Sequence, residues 1–167
     1  FKSRDGVVWS ELGRPAVPDR ANETTLRFLA DGRMVAMVRR EAGNLRGWWG
    51  EARAPYAEWT WQESNVRFGG PEFIVLPDGR RIAGTRGYLP AEAGARAKAT
   101  TVVARIDGAR LETLVTLPSG GDTSYPGLVW HAGLLWVSYY SSHEGKTAIY
   151  LAKVRLPPRG ASAAAER

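Results

Sequence analysis

The chain has no cysteine, which excludes both a disulfide framework and any thiolate metal site. Its two histidines, His131 and His143, are too few and too separated to suggest a metal centre. No run approaches the roughly 18 consecutive apolar residues of a membrane-spanning helix. We therefore expect no metal, no organic cofactor and no membrane partner. Lysine is scarce beside arginine in a chain of formal charge +6. The basic residues are scattered over strand ends and turns rather than gathered in a stripe, which argues against nucleic acid. Arginine offers a planar fork matched to a carboxylate, so a small anionic ligand is the better use of these charges. An initiator methionine and a signal-like apolar region are also lacking at Phe1, which leaves room for a removed leader or a longer N-terminal portion and leaves the compartment open.

What is abundant points to strands. Seven Trp, six Tyr and four Phe stand in short β-prone runs punctuated by 19 Gly and 10 Pro, the pattern of an all-β protein with many tight turns. At 167 residues the chain is long enough for one domain with a sizeable core. One segment then occurs three times, over 23–39, 70–86 and 124–140, each copy an apolar run, a Gly-containing turn and a second apolar run. Aligned on Gly32, Gly79 and Gly133, the copies are spaced by 47 and 54 residues, the size of one blade of a β-propeller.

Each copy reads as an antiparallel hairpin supplying strands A and B of a blade. After the first, Gly47–Arg53 and Trp59–Glu63 supply C and D. After the second, Thr100–Ile106 and Leu111–Leu117 do so, with a surface insertion over Leu89–Ala99. The third is followed by a C strand, Thr147–Arg155, and then by Pro157 and Pro158. The blades are thus expected over 23–64, 70–117 and 124–155 of a half-propeller spanning 1–156, with a flexible tail over 157–167. The third blade lacks strand D, and Val7–Glu11 is the one unassigned strand-like run. Three blades make only an arc, since closed rings begin at about four. The arc calls for further N-terminal blades or for a second copy, in which each chain donates Val7–Glu11 to the third blade of the other in a two-fold ring of six.

In a hairpin, residues equidistant from the turn lie opposite each other. Glu23 should face Arg39, Gly70 should face Arg86, and Ser124 should face Tyr140. Glu23, Arg39, Arg86, Tyr125 and Tyr140 then lie at the blade ends away from the turns, where they converge on one mouth of the central channel.

These residues resemble the sialidase (neuraminidase) family. Asn22-Glu23, an apolar strand, Asp31-Gly32-Arg33, a second apolar strand and Arg39 look like the segment carrying the catalytic glutamate and the second arginine of the substrate triad. Arg86 looks like the third arginine, and Tyr125, ahead of Pro126 and Gly127, resembles the nucleophilic tyrosine. The resemblance implies a glycoside hydrolase for a terminal sialic acid or other acidic sugar, and a secreted or periplasmic place. Sialic acid carries a carboxylate on its anomeric carbon, so a carboxylate nucleophile would meet like charge. A phenol of ordinary pKa near 10 becomes a nucleophile when a neighbouring carboxylate takes its proton. Glu23 would be that base for Tyr125, with Arg39, Arg86 and Tyr140 binding substrate.

The family's first arginine and its acid/base aspartate have no counterpart in matching context, since Arg4 and Asp5 lack the surrounding strands. The Asp-box-like repeat (BNR repeat) is degenerate, with Ala52–Trp59 keeping the spacing and closing Trp alone. A second reading therefore stands beside the first: a non-catalytic carbohydrate-binding or structural half-propeller that assembles as a homodimer, in which Glu23 and Arg39 form a cross-strand ion pair.

Overall fold

A computed structural model of the chain describes residues 1–89 and 98–159. The insertion expected between Leu89 and Ala99 and most of the expected tail lie outside the described residues. A short arm comes first, in which β1 (Lys2–Ser3) pairs with β2 (Trp9–Ser10). Three antiparallel sheets follow. The first is β3 (Ala21–Phe28), β4 (Met34–Arg40), β5 (Arg46–Ala52) and β6 (Thr60–Arg67). The second is β7 (Glu72–Val75), β8 (Arg81–Tyr88), β9 (Ala99–Asp107) and β10 (Arg110–Leu117). The third has three strands, β11 (Thr123–His131), β12 (Leu134–Ser141) and β13 (Ala148–Val154). Within each sheet, neighbours in sequence are neighbours in space. The protein is an all-β arc of three propeller blades. The strand expected over Val7–Glu11 is confined to Trp9–Ser10 and pairs within the arm rather than with the third sheet.

The turns explain the repeat. In the first two hairpins Leu29 and Leu76 each donate and accept across the loop, with Gly32 and Gly79 at φ of 78° and 82° closing it. Asp31 and Asp78 accept from the backbone N–H of Arg33 and Arg80 at 3.1 and 3.0 Å, which makes Asp-Gly-Arg a turn with a mechanism. The third hairpin is tighter. Ala132 and Gly133, both at positive φ, form a two-residue loop between the paired His131 and Leu134, and a bulge farther along β11 restores the register so that Ser124 faces Tyr140.

Packing runs from blade to blade. Val35, Met37 and Trp49 of the first sheet meet Phe73, Ala83, Ala104 and Ile106 of the second. Ile82, Val103 and Leu117 on its other side meet Leu135, Val137 and Tyr139 of the third. Each fully buried aliphatic or aromatic side chain contributes about 1.5–3 kcal/mol of transfer free energy. The middle blade is covered on both faces, which is why β9 is buried along most of its length, whereas the outer faces of the first and third blades remain open. Strands β3, β7 and β11 lie side by side along the inner edge, where Thr25 Oγ donates to Pro71 O at 2.5 Å and Ser124 Oγ donates to Gly69 O at 3.2 Å.

Candidate active site

Each inner strand begins, at the end away from the turns, with a backbone irregularity. The β3–β4 register shifts between Ala21 and Thr24, Gly70 ahead of β7 has a φ of 54°, and β11 bulges between Ser124 and Gly127 with Tyr125 at 49°. Bulges take side chains out of strict alternation, and here they leave Glu23 and Tyr125 in contact although they are far apart in sequence. The Tyr125 hydroxyl donates to Glu23 Oε1 at 2.7 Å. Glu23 Oε2 accepts from Arg39 Nη1 and from the Gly70 N–H, both at 2.8 Å. Arg39 also ion-pairs through Nε with Glu41, whose other oxygen meets Arg67 Nη2 at 3.0 Å.

A second group stands beside the first. Arg86 donates from Nε to the Thr123 carbonyl at 2.8 Å and from Nη2 to the Tyr140 hydroxyl at 3.0 Å. The Tyr140 hydroxyl donates to Asp122 Oδ1 at 2.8 Å, and the Tyr140 ring centre lies 6.1 Å from that of Tyr125. Arg39 is thus shared between two carboxylates, while among the described residues Arg86 meets only neutral oxygens.

The electrostatics follow from these bonds. Burial is the largest influence on Glu23 and pushes its carboxyl up. The hydrogen bonds from Arg39, Tyr125 and Gly70 together outweigh it and hold the group below the usual carboxylate value. Tyr125 moves the other way, because its hydrogen bond to a carboxylate and that negative charge favour the neutral phenol, with Arg39 and Arg86 pulling back. Tyr140 is raised chiefly by burial and then by Asp122. At rest the proton therefore sits on Tyr125 and the charge on Glu23. Tyr125 is 60% exposed, so the phenol is reachable.

Between β3, β7 and β11 a cleft of about 340 Å³ opens, lined by Glu23, Gly70, Glu72, Tyr125 and Ser138 among others. A larger hollow of about 630 Å³ lies at the turn end near Arg33, Glu51 and Trp59, away from the tyrosine–glutamate pair. Among the described residues no group of three His, Asp or Glu is placed to hold a metal ion. Arg4 and Asp5 stay in the exposed arm, where Asp5 Oδ1 accepts from the N–H groups of Val7 and Val8 at 2.8 and 2.9 Å. His143 and Glu144 pack against Tyr150, with Glu144 accepting from its hydroxyl at 3.0 Å.

Sequence reading missed Glu41 and Asp122. Asp122 carries a signal, as the only acid between the second blade and Tyr125, whereas Glu41 lies just past the end of β4 and carries none.

Gly70 holds the site from below. A Cβ there would lie 2.9 Å from the Tyr125 backbone nitrogen and 2.5 Å from Ser124 Oγ, at a φ that side chains rarely adopt. Gly70→Ala is expected to cost about 1–3 kcal/mol in urea unfolding and to displace Tyr125. A loss below a few tenths would mean that the backbone there adjusts freely.

The sequence matches no protein-family model and no curated protein. Solved structures do match it. A Dyadobacter fermentans protein of unknown function is 20% identical over 93% of this chain and 44% of its own, with a TM-score of 0.71. A Fusarium graminearum GH93 α-L-arabinofuranosidase is 11% identical over 81% of this chain and 45% of its own, at 0.67. A Penicillium chrysogenum α-L-arabinanase is 13% identical over 81% and 46%, at 0.64. The chain spans less than half the length of each. At these identities the likeness is one of fold, and the chain is a three-bladed arc of the β-propeller kind found in propeller glycoside hydrolases.

Proposed function

We propose that the arc carries the tyrosine–glutamate half of a glycosidase site for a terminal acidic sugar of the sialic acid type. The observation that carries this reading is the 2.7 Å hydrogen bond from the exposed Tyr125 hydroxyl to Glu23, with Arg86 alongside as a cation that no described carboxylate neutralises. Tyr125 would form the bond to the anomeric carbon while Glu23 takes the phenolic proton, and the aglycone would leave with the electrons of the cleaved glycosidic bond. Arg86, helped by Tyr140, would hold the sugar carboxylate as positive charge develops on the ring. The propeller glycosidases of similar fold support a carbohydrate ligand and do not speak to which sugar it is.

One observation favours the second reading, a binding half-propeller without catalysis. Glu23 accepts three hydrogen bonds and is held low, which makes it a reluctant base. The discriminating substrate is a fluorogenic aryl sialoside, because a phenolate leaves without help from a general acid. Turnover by the full chain, falling by about 10³-fold or more in Tyr125→Phe, is the expected result. Turnover that survives the substitution would remove Tyr125 as nucleophile. Binding of free sialic acid by calorimetry without any turnover would select the second reading.

A further inference from the structure

The first two sheets have four strands and the third has three, ending at β13. Among the described residues no strand pairs with the outer edge of β13, so the outward amide and carbonyl groups of a seven-residue strand are left without a ladder. Unprotected edges of this kind recruit another strand unless they are blocked. The open face of the same sheet exposes Ile149 (77%) and Leu151 (63%). At the opposite end of the arc the first blade exposes Leu26 and Phe28, and the N-terminal arm holds Val7 (80% exposed), Val8 and Trp9 out to solvent.

We propose that a second copy of this chain covers all of these surfaces at once. The first blade of each copy packs on the third blade of the other, and each copy lays Val7–Glu11 along the partner's β13 as its missing fourth strand. The arm starts from the right place for this. Leu12, Pro15 and Val17 line a groove of about 330 Å³ on the open face of the first blade, together with Trp59 and Trp61. Gly13 lies beside Ala57, just ahead of β6, the outermost strand of that blade. The arm therefore leaves at the outer rim, on the side where a neighbouring blade would present its own outermost strand. Blade number agrees as well, since two three-bladed arcs supply six blades, within the range of closed rings. The two contacts are related by a two-fold axis and the assembly closes, which ends growth at the dimer. This inference does not rest on the sugar chemistry.

The test is the solution mass of the full chain by light scattering across a concentration series. Twice 18.3 kDa, or 36.6 kDa, is expected. Leu151→Asp and, separately, deletion of residues 1–11 are each expected to return the mass to that of one copy of the variant chain, 18.3 kDa for the substitution and correspondingly less for the deletion, with circular dichroism confirming that the blades stay folded. Amide exchange read over β13 should be slow in the full chain and faster after the deletion. A mass of 18.3 kDa at every concentration, or a dimer that survives either change, overturns the proposal.

Discussion

Replacing Glu23 with Gln is expected to lower turnover of an aryl sialoside by about 10²–10⁴-fold and, with or without activity, to bring the Tyr125 phenol back toward its ordinary pKa. Both effects have one cause. The carboxylate accepts the Tyr125 hydrogen bond and its charge keeps the phenol neutral at rest, and in the proposed reaction it would take the proton, whereas an amide in its place accepts a hydrogen bond but has neither the charge nor the basicity. The titration of Tyr125, read by ultraviolet absorbance against a Tyr125→Phe reference, tests the pair without any substrate. The fold should survive the change, since Arg39 keeps its pairing with Glu41. A stability difference should nevertheless depend on pH. The Glu23 carboxyl is depressed in the folded protein from an ordinary value of 4.5, so its contribution is fully present above that value and is lost as pH falls through the folded value. The urea midpoint of Glu23→Gln should therefore lie below that of the wild type at neutral pH, with the gap closing under acid conditions. An unchanged phenol titration would show that the hydrogen bond does not persist in solution.

Phe73→Ala is expected to cost about 3–5 kcal/mol, the range for emptying a fully buried aromatic site. Phe73 has no exposed surface, its ring centre lies 4.9 Å from that of Trp49 in the adjacent blade, and the Arg27 guanidinium stands 5.9 Å away. It stands on a strand of only four residues, so the side chain does more than the short ladder to fix β7 against the first sheet. Typical domains have about 5–15 kcal/mol in total, so the loss is large enough to read as a lower urea midpoint at unchanged slope. A loss under about 1 kcal/mol would mean that the first two blades do not share one cooperative core. A lower slope would mean that they unfold separately.

Much of this was legible in the sequence because hairpins obey counting rules. The turn glycines set the symmetry, and counting outward from Asp31 brings Glu23 to Arg39, which its carboxylate meets at 2.8 Å. The same count from Asp78 sets Gly70 opposite Arg86 and misses by one residue, because the Arg86 N–H donates to the Gly69 carbonyl at 2.7 Å, beyond the end of the β7–β8 ladder. Contact between Glu23 and Tyr125 is of another kind. It depends on how three sheets fan around an axis and on bulges at Ala21–Thr24 and Ser124–Gly127, and counting within one hairpin reaches neither. The third turn shows how a right answer hides a compensation. Its loop has two residues between paired strand ends where the other two have five, so its centre falls between Ala132 and Gly133 rather than on Ala132, and the β11 bulge takes up the difference, so Ser124 still meets Tyr140. The sharing of Arg39 with Glu41 was invisible for a different reason, because Glu41 lies just past the end of β4, where alternation no longer says which way a side chain points. The arm was read as a strand from its apolar run, and in the single chain that run closes on Lys2–Ser3.

Tyr125 stands at a φ of 49°, a region in which any residue with a Cβ costs of order 1 kcal/mol relative to glycine. Most of its ring is in solvent and contributes little to the core. Folding alone would therefore be better served by glycine or asparagine at this position, and a library selected only for thermal tolerance would drift there. The phenol would be among the first groups discarded, so the heat resistance of such variants would rise as the nucleophile of the proposed reaction vanished.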